Sequence, residues 1–320
     1  MQTRAFNSIS VDIEKSIITK SSNNKEKLED EILYYLRLPE QLKNLFPKLI
    51  NFKKDYSAYH LEYLPYSSLQ DLILNEKITS IEGQAILSNL STILQEIHSF
   101  KPDFLISSDE IAQFYIKKMK DRILELNKVN YFKTLLVQPI LTINGNPYKN
   151  FSILETACNK LFIRFTKKYH KVRAIHGDFC FSNILYAPKK KFIKLIDPRG
   201  SFTHKGIFGH ELYDYAKLMH CLHGYYDFLV NDQFVLSETL SNQFNFEIPY
   251  SSLIAELEDS YINLLLNKEI PLDFIYLIEA SLFLSMASLH YENLERQKIL
   301  YLTGIIILNN VIEGKYENMH

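Results

Sequence analysis

Between residues 6 and 22 the chain alternates β-branched and polar residues on both sides of "IEKS", which predicts two strands joined by a tight turn. Next, "NKEKLEDEILYYLRL" places Leu28, Ile32, Leu33, Tyr35 and Leu36 at helical spacing and stops before Pro39, so a helix follows the hairpin. Apolar patches around Leu49 and from Tyr59 to Leu64 predict a second hairpin. Pro65 breaks the pattern there, and Ser67 or Ser68 is placed to cap the helix that "LQDLIL" begins. A lobe boundary is therefore expected near residue 65, dividing the chain into 1–65 and 66–320. Beyond it, Ile86, Leu87, Leu90, Ile93, Leu94 and Ile97 form one apolar stripe of a long helix. Helical patterns also cover about 108–127, 151–170, 208–228, 251–267 and 272–315. One interruption stands out, since "NILYA" and "FIKLI" read as two short strands joined by a lysine turn.

Composition narrows the function classes. With 36 basic and 37 acidic residues, the chain carries no field for gripping nucleic acid or an anionic membrane, so any nucleotide must be held locally. No aliphatic run approaches the ~20 residues that cross a bilayer, so no membrane insertion is expected. Three widely spaced cysteines and a start without an apolar run fit a reducing cytoplasm.

The chemistry concentrates around the interrupted segment. In "HGDFCFSN", Asp178 and Asn183 flank a tight loop, and Asp197 closes the second strand of the hairpin that Asn183 opens. Paired strands would set Asn183 and Asp197 side by side with Asp178 across from them. Hard oxygen ligands with one neutral member suit a Mg²⁺ ion that keeps waters and binds phosphate oxygens. The remaining carboxylate, Asp178, is left to orient a hydroxyl. A rival reading makes His176, Asp178 and Cys180 zinc ligands of a metallohydrolase, because they alternate as strand neighbours do. No compact second His or Cys pair completes that site, although His204 and His210 follow. His176 reads better as a brace for the loop backbone than as a ligand, and Cys180, between two phenylalanines, as core packing.

The order His176, Asp178, Asn183, then Asp197 matches the spacing H-x-D-x-x-x-x-N and later aspartate of kinase catalytic loops. "HGDFCFSN" followed by "LIDPRG" resembles the aminoglycoside phosphotransferase and choline kinase superfamily. "FNSI", "LEDEI" and "LEYLPYSSL" are further similar to a branch of bacterial proteins met among capsule and other surface-polysaccharide genes. Gly177 stands where protein kinases have arginine, and Pro198 and Arg199 where they have phenylalanine and glycine, which favours small substrates.

The resemblance implies an α+β, two-lobed, protein-kinase-like fold with a small, mostly β N-lobe carrying one key helix and a larger, mainly helical C-lobe. It implies transfer of the γ-phosphoryl group of ATP or GTP, with Mg²⁺, to a hydroxyl of a small molecule such as a sugar or amino alcohol. Asp178 would be the catalytic base, and Asn183 and Asp197 the metal ligands. Lys20 would contact the α and β phosphates, paired with Glu31 or, as a fallback, Glu29. No glycine precedes Gly83, so no glycine-rich loop exists, and "FNSIS" is expected to form the phosphate-covering turn instead, with Asn7 tolerating a left-handed conformation and the Ser8 hydroxyl donating to a phosphate. Backbone groups of Glu62 and Leu64 are expected at the purine edge. Arg199 either reaches the transferred group or pairs with a carboxylate, and Asp214 either braces the catalytic loop or faces substrate. A pseudokinase that binds nucleotide without transfer is the other alternative.

Overall fold

The structure is a computed structural model that describes residues 7–316. Strand β1 (Asn7–Asp12) pairs antiparallel with β2 (Ile17–Ser22), in register from Asn7 opposite Ser22 to Asp12 opposite Ile17. The turn between them is closed by Asp12 Oδ1, which accepts the Lys15 N–H at 3.0 Å, and by Ser16 at φ 53°. Helix α1 (Lys25–Arg37) starts where the Asn24 side chain accepts the Lys27 N–H. It buries Leu28, Ile32, Tyr34 and Tyr35 and, with them, Glu31. Strands β3 (Leu49–Phe52) and β4 (Ala58–Glu62) complete a sheet of order β1-β2-β4-β3 in which Lys20 stands opposite Tyr59. The two-residue strand β5 (Ser67–Ser68) runs into α2 (Leu69–Leu74), capped by the Ser68 hydroxyl accepting from the Asp71 N–H.

Helix α3 (Ser80–Ile97) buries its whole expected stripe. Then come α4 (Ser108–Leu126), α5 (Asn130–Leu136), β6 (Ile140–Ile143), β7 (Asn146–Lys149), α6 (Phe151–Lys168) and β8 (Val172–Ala174). The short strands read from sequence form β9 (Ile184–Ala187) and β10 (Phe192–Leu195), paired from Ile184 opposite Leu195, with β5 on the other side of β9. The chain continues through β11 (Phe208–His210), α7 (Leu212–Leu222), α8 (Tyr226–Val230), β12 (Val235–Leu240), β13 (Gln243–Glu247), α9 (Ser252–Asn267), α10 (Leu272–Ala287) and α11 (Leu294–Ile312).

Two compact units result, neither continuous in sequence. The first holds the described residues up to 78, with 88–104 and 172–214. It contains the four-stranded sheet with α1, the sheet of order β10-β9-β5, and the pair β11 and β8. The second holds 79–87, 105–171 and the described residues from 215. There α10 is apolar on every side and buried, as a central helix must be, and its one buried acid, Glu279, meets the His223 ring at 3.0 Å. This α and β composition is the fold class expected from sequence.

The departures are local. The pattern over 208–228 is not one helix, because β11 comes first and a break at Gly224 and Tyr225, the latter at φ 51°, separates α7 from α8. A Cβ on Gly224 would lie 2.2 Å from the Phe283 ring, so the glycine lets α10 approach. The pattern over 272–315 is two helices, with Asn293 capping the second through the Arg296 N–H. Two hairpins went unread, β6–β7 and β12–β13; they join as the sheet β12-β13-β6-β7.

Gly200 follows β10 in the first unit, and a Cβ there would fall 1.7 Å from the Asp30 carbonyl oxygen of α1. Gly200→Ala should therefore push α1 away and lower stability by about 1–3 kcal/mol, read as a lower urea midpoint. An unchanged midpoint would mean that α1 and this segment are not in contact.

Candidate functional site

Strand β2 turns Lys20 toward α1, where the ammonium is almost fully buried and donates to Glu31 Oε2 at 2.8 Å and Asp197 Oδ1 at 3.1 Å. Tyr59, opposite Lys20 on β4, donates its hydroxyl to the same Glu31 oxygen at 2.7 Å. Burial alone would lower the Lys20 pKa, but the charges of Asp197 and Glu31 outweigh it and raise the value above the ordinary one, so the group stays an ammonium. Glu29 is engaged elsewhere, accepting from Lys205 Nζ at 2.9 Å. Glu31, rather than Glu29, is thus the partner of Lys20.

The loop after β8 is held by its backbone. Asp214, fully buried at the start of α7, accepts the His176 N–H at 2.8 Å and the Gly177 N–H at 2.7 Å, and its Oδ2 lies 3.3 Å from His98 Nε2. This is a bracing position. His176 is buried too; its Nε2 donates to the Ile196 carbonyl at 3.0 Å, and its Nδ1 accepts the Asp178 N–H at 3.2 Å. Since a carbonyl only accepts and a peptide N–H only donates, the ring is neutral and protonated at Nε2. Burial lowers its pKa, with the nearby carboxylates opposing less strongly. Both ring nitrogens are committed, which leaves His176 no lone pair for a metal, and Cys180 Sγ lies 3.2 Å from the Ser182 hydroxyl. The zinc reading loses its first ligand.

Gly177 adopts φ +76°, and a Cβ would sit 2.7 Å from Arg199 Cβ, so the turn admits only glycine without strain. Half-buried Asp178 follows. Its carbonyl and its Oδ2 accept the two N–H bonds of Asn183 Nδ2, at 2.9 and 3.0 Å. Bonding to a carbonyl identifies that atom as nitrogen, so Asn183 Oδ1 points the other way as an acceptor. The Ile196 N–H donates to the Asn183 carbonyl at 2.9 Å, which brings Asn183 next in register to Asp197. Asp197 sits at φ 53° with its side chain 37% exposed, one oxygen held by Lys20. A carboxylate oxygen and an amide oxygen that, among the described residues, accept from no donor form, beside a cation, a hard-oxygen donor set that fits Mg²⁺.

Ser8 is not in a turn; it stands on β1 opposite Ser21, because the β-branched pattern pairs the strands and moves the turn to residues 13–16. Asn7, Ile9 and Ser10 of the expected phosphate-covering stretch lie on β1 as well, and Phe6 lies outside the described residues. The Glu62 N–H is taken by the Lys48 carbonyl at 2.9 Å, and the Leu64 carbonyl by the Tyr66 N–H at 2.9 Å. Arg199 pairs with no carboxylate at its Nε, which donates to the Ser201 carbonyl at 2.6 Å, while its N–H donates to the His176 carbonyl at 2.8 Å.

Several supports went unread in the sequence. Tyr34 donates to the Ile175 carbonyl at 2.9 Å, and Phe46 stacks on the His176 ring at 6.0 Å. Tyr59 and His98 complete the set. Tyr34 lies three positions after Glu31 on the same helix, a spacing that could have flagged it; nothing local marks the other three.

No family model matches the chain, and no curated protein matches it in sequence. Solved structures do match in fold. An ethanolamine kinase from Plasmodium vivax superposes with a TM-score of 0.53 at 14% identity, covering 95% of this chain and 78% of its own. APH(2")-IIa, in ternary complex with streptomycin and ATP, gives 0.54 at 13% identity, with coverage of 92% and 85%. A thermostable mutant of the aminoglycoside phosphotransferase APH(4)-Ia gives 0.54 at 12% identity, with 95% and 88%. At such identities the shared property is the fold, which is the protein-kinase-like fold that the resemblance implied.

The His176 ring makes a testable contribution. Its folded pKa lies below the ordinary 6.5, so the unfolded chain takes up a proton first as pH falls. Its stabilising effect is present above about pH 6.5 and is lost progressively as pH falls below it. The urea midpoint should therefore fall more steeply between pH 7.5 and 5.5 in the parent chain than in His176→Gln. Parallel slopes would contradict a neutral buried ring.

Proposed function

We propose that this protein is a Mg²⁺-dependent phosphotransferase that moves the γ-phosphoryl group of ATP or GTP to a hydroxyl of a small molecule. The observation that supports this most is the convergence of Lys20, Glu31 and Asp197, distant in sequence, into one hydrogen-bonded chain, with Asn183 next in register and bonded to Asp178. Buried charges cost several kcal/mol each to desolvate, and a site that neutralises a polyphosphate gives this arrangement a use.

In this reading residues 1–65 contribute Lys20, Glu31 and the Glu62 to Leu64 stretch to the nucleotide, and the remainder contributes the catalytic loop and the acceptor pocket. Lys20 exchanges its contact with Asp197 for phosphate oxygens while keeping Glu31, which holds the ammonium in place. Asn183 Oδ1 and Asp197 would hold Mg²⁺, which when bound neutralises charge on the phosphate oxygens. Asp178, oriented by the Asn183 amide, accepts the acceptor hydroxyl's proton as the new O–P bond forms and the bond from the γ-phosphorus to the bridging oxygen breaks, releasing the nucleoside diphosphate. Asp214 and His176 keep that loop in one conformation through its main chain. Positioning and charge neutralisation carry most of the rate.

The neighbours include an ethanolamine kinase and a complex holding ATP with streptomycin, which supports nucleotide plus small molecule as the substrate pair. A sugar or amino alcohol for cell-surface glycan is the acceptor that the sequence resemblance favours. The pseudokinase alternative keeps the nucleotide and lacks turnover.

The test is ADP release across free sugars, amino alcohols and aminoglycosides, with nucleotide binding measured in parallel. Asp178→Asn should lower turnover by at least ~10²-fold while nucleotide affinity stays within about threefold. Chelating the divalent ion should abolish turnover in the parent chain. Full turnover in Asp178→Asn would overturn the assignment of the base; nucleotide binding without turnover on every acceptor would favour the pseudokinase.

A further inference from the structure

The first unit has a concavity of about 340 Å³ whose lining shares no residue with the site above. It lies where the C-terminal end of α1 meets the segment after α3 and the loop before β11. Aromatic rings make part of its wall: Phe104, 40% exposed, meets Phe208 edge-on at 5.9 Å and the His204 ring at 5.7 Å. Its charged lining is of one sign, from Arg37, Lys101 and Lys205.

These cations are not equally neutralised. Lys205 gives its ammonium to Glu29 at 2.9 Å and lies 3.5 Å from Asp30. Arg37 instead donates Nη1 to a neutral acceptor, the Lys205 carbonyl, at 2.8 Å. Gly206 at φ +137° allows this approach, since a Cβ would come 2.9 Å from that same nitrogen. Among the described residues, neither Arg37 nor Lys101 has a carboxylate partner. Surface lysines are ordinary, but a guanidinium and an ammonium without counter-ions, set around the exposed Phe104 ring and the half-buried Phe208 ring in a concavity, are complementary to an aromatic anion. The volume is near the lower end for small-molecule sites, roughly 300–1,000 Å³, and suits a molecule of one or two rings.

We propose that this groove is a second ligand site, taking a small aromatic molecule that carries a phosphate or carboxylate group. The anion bridges Arg37 and Lys101, and the ring packs against Phe104 and Phe208. Such a ligand spans α1 and the loop before β11, the segments that on their other sides hold Glu31 and Gly200.

Phenyl phosphate is the probe, titrated calorimetrically into the full chain, with inorganic phosphate and benzyl alcohol as the charge-only and ring-only arms. Lys101→Glu and Phe104→Ser alter exposed residues outside the transfer site, and the double variant Lys20→Met/Glu31→Gln removes the other place where a phosphate could lodge without leaving a buried charge unpaired. Phenyl phosphate should bind the parent and the double variant alike, at least about tenfold tighter than either arm, and about tenfold weaker to Lys101→Glu and to Phe104→Ser. No binding to the parent would overturn the proposal. So would equal binding of inorganic phosphate, or binding lost in a double variant that keeps the parent's circular dichroism and kept in Lys101→Glu.

Discussion

One buried ammonium organises the first unit. Lys20 sits between Glu31 and Asp197, and each partner comes from a different element: strand β2, helix α1 and the segment after β10. Removing the ammonium would leave the buried Glu31 carboxylate without its cation and facing Asp197, a loss that typically costs on the order of 3–5 kcal/mol. The three elements are therefore obliged to meet. The rest of the local architecture can be read as serving that meeting: Gly200 gives up its side chain so that α1 can come close, and the Tyr59 hydroxyl satisfies the carboxylate from the far side.

The neighbouring loop is built on a different principle. Its polar main-chain groups are met by buried side chains, with Asp214 taking two N–H groups and His176 bridging the Asp178 N–H and the Ile196 carbonyl. Two side chains that look reactive in sequence are in this way consumed as structure, and the oxygens of Asp197 and Asn183 are left turned outward. A rigid frame around a few uncommitted oxygens is what electrostatic preorganisation requires.

Much of this was visible before any coordinates. Asp178, Asn183 and Asp197 could be grouped because a hairpin of two short apolar runs separates the last two, and strand pairing then determines which residues are neighbours. Lys20 and Glu31 were legible only through resemblance, since a strand-end lysine and a helix glutamate are ordinary surface residues until burial is known. His98, Phe46 and Tyr59 were illegible for a related reason: their contacts depend on long-range packing that no local pattern encodes. The β6–β7 hairpin did carry a signal, the Asn144-Gly145 pair at φ 48° and 77°, which fits a tight hairpin turn between apolar runs. Its neighbours were read as the gap between two helices. The Ser8 expectation failed because the stretch was assigned to a turn on functional grounds, against its own alternating pattern.

Asn183 shows how narrow the chemical choice at one position can be. Its nitrogen is spent on a carbonyl and a carboxylate of residue 178, so the outward oxygen exists only because the inward atom donates. An aspartate there would keep the shape yet set oxygen against oxygen at two points, and a leucine would remove both faces. Asparagine is the shortest side chain that carries a separate donor atom and acceptor atom, and that two-sidedness, more than charge, limits what can stand at this position.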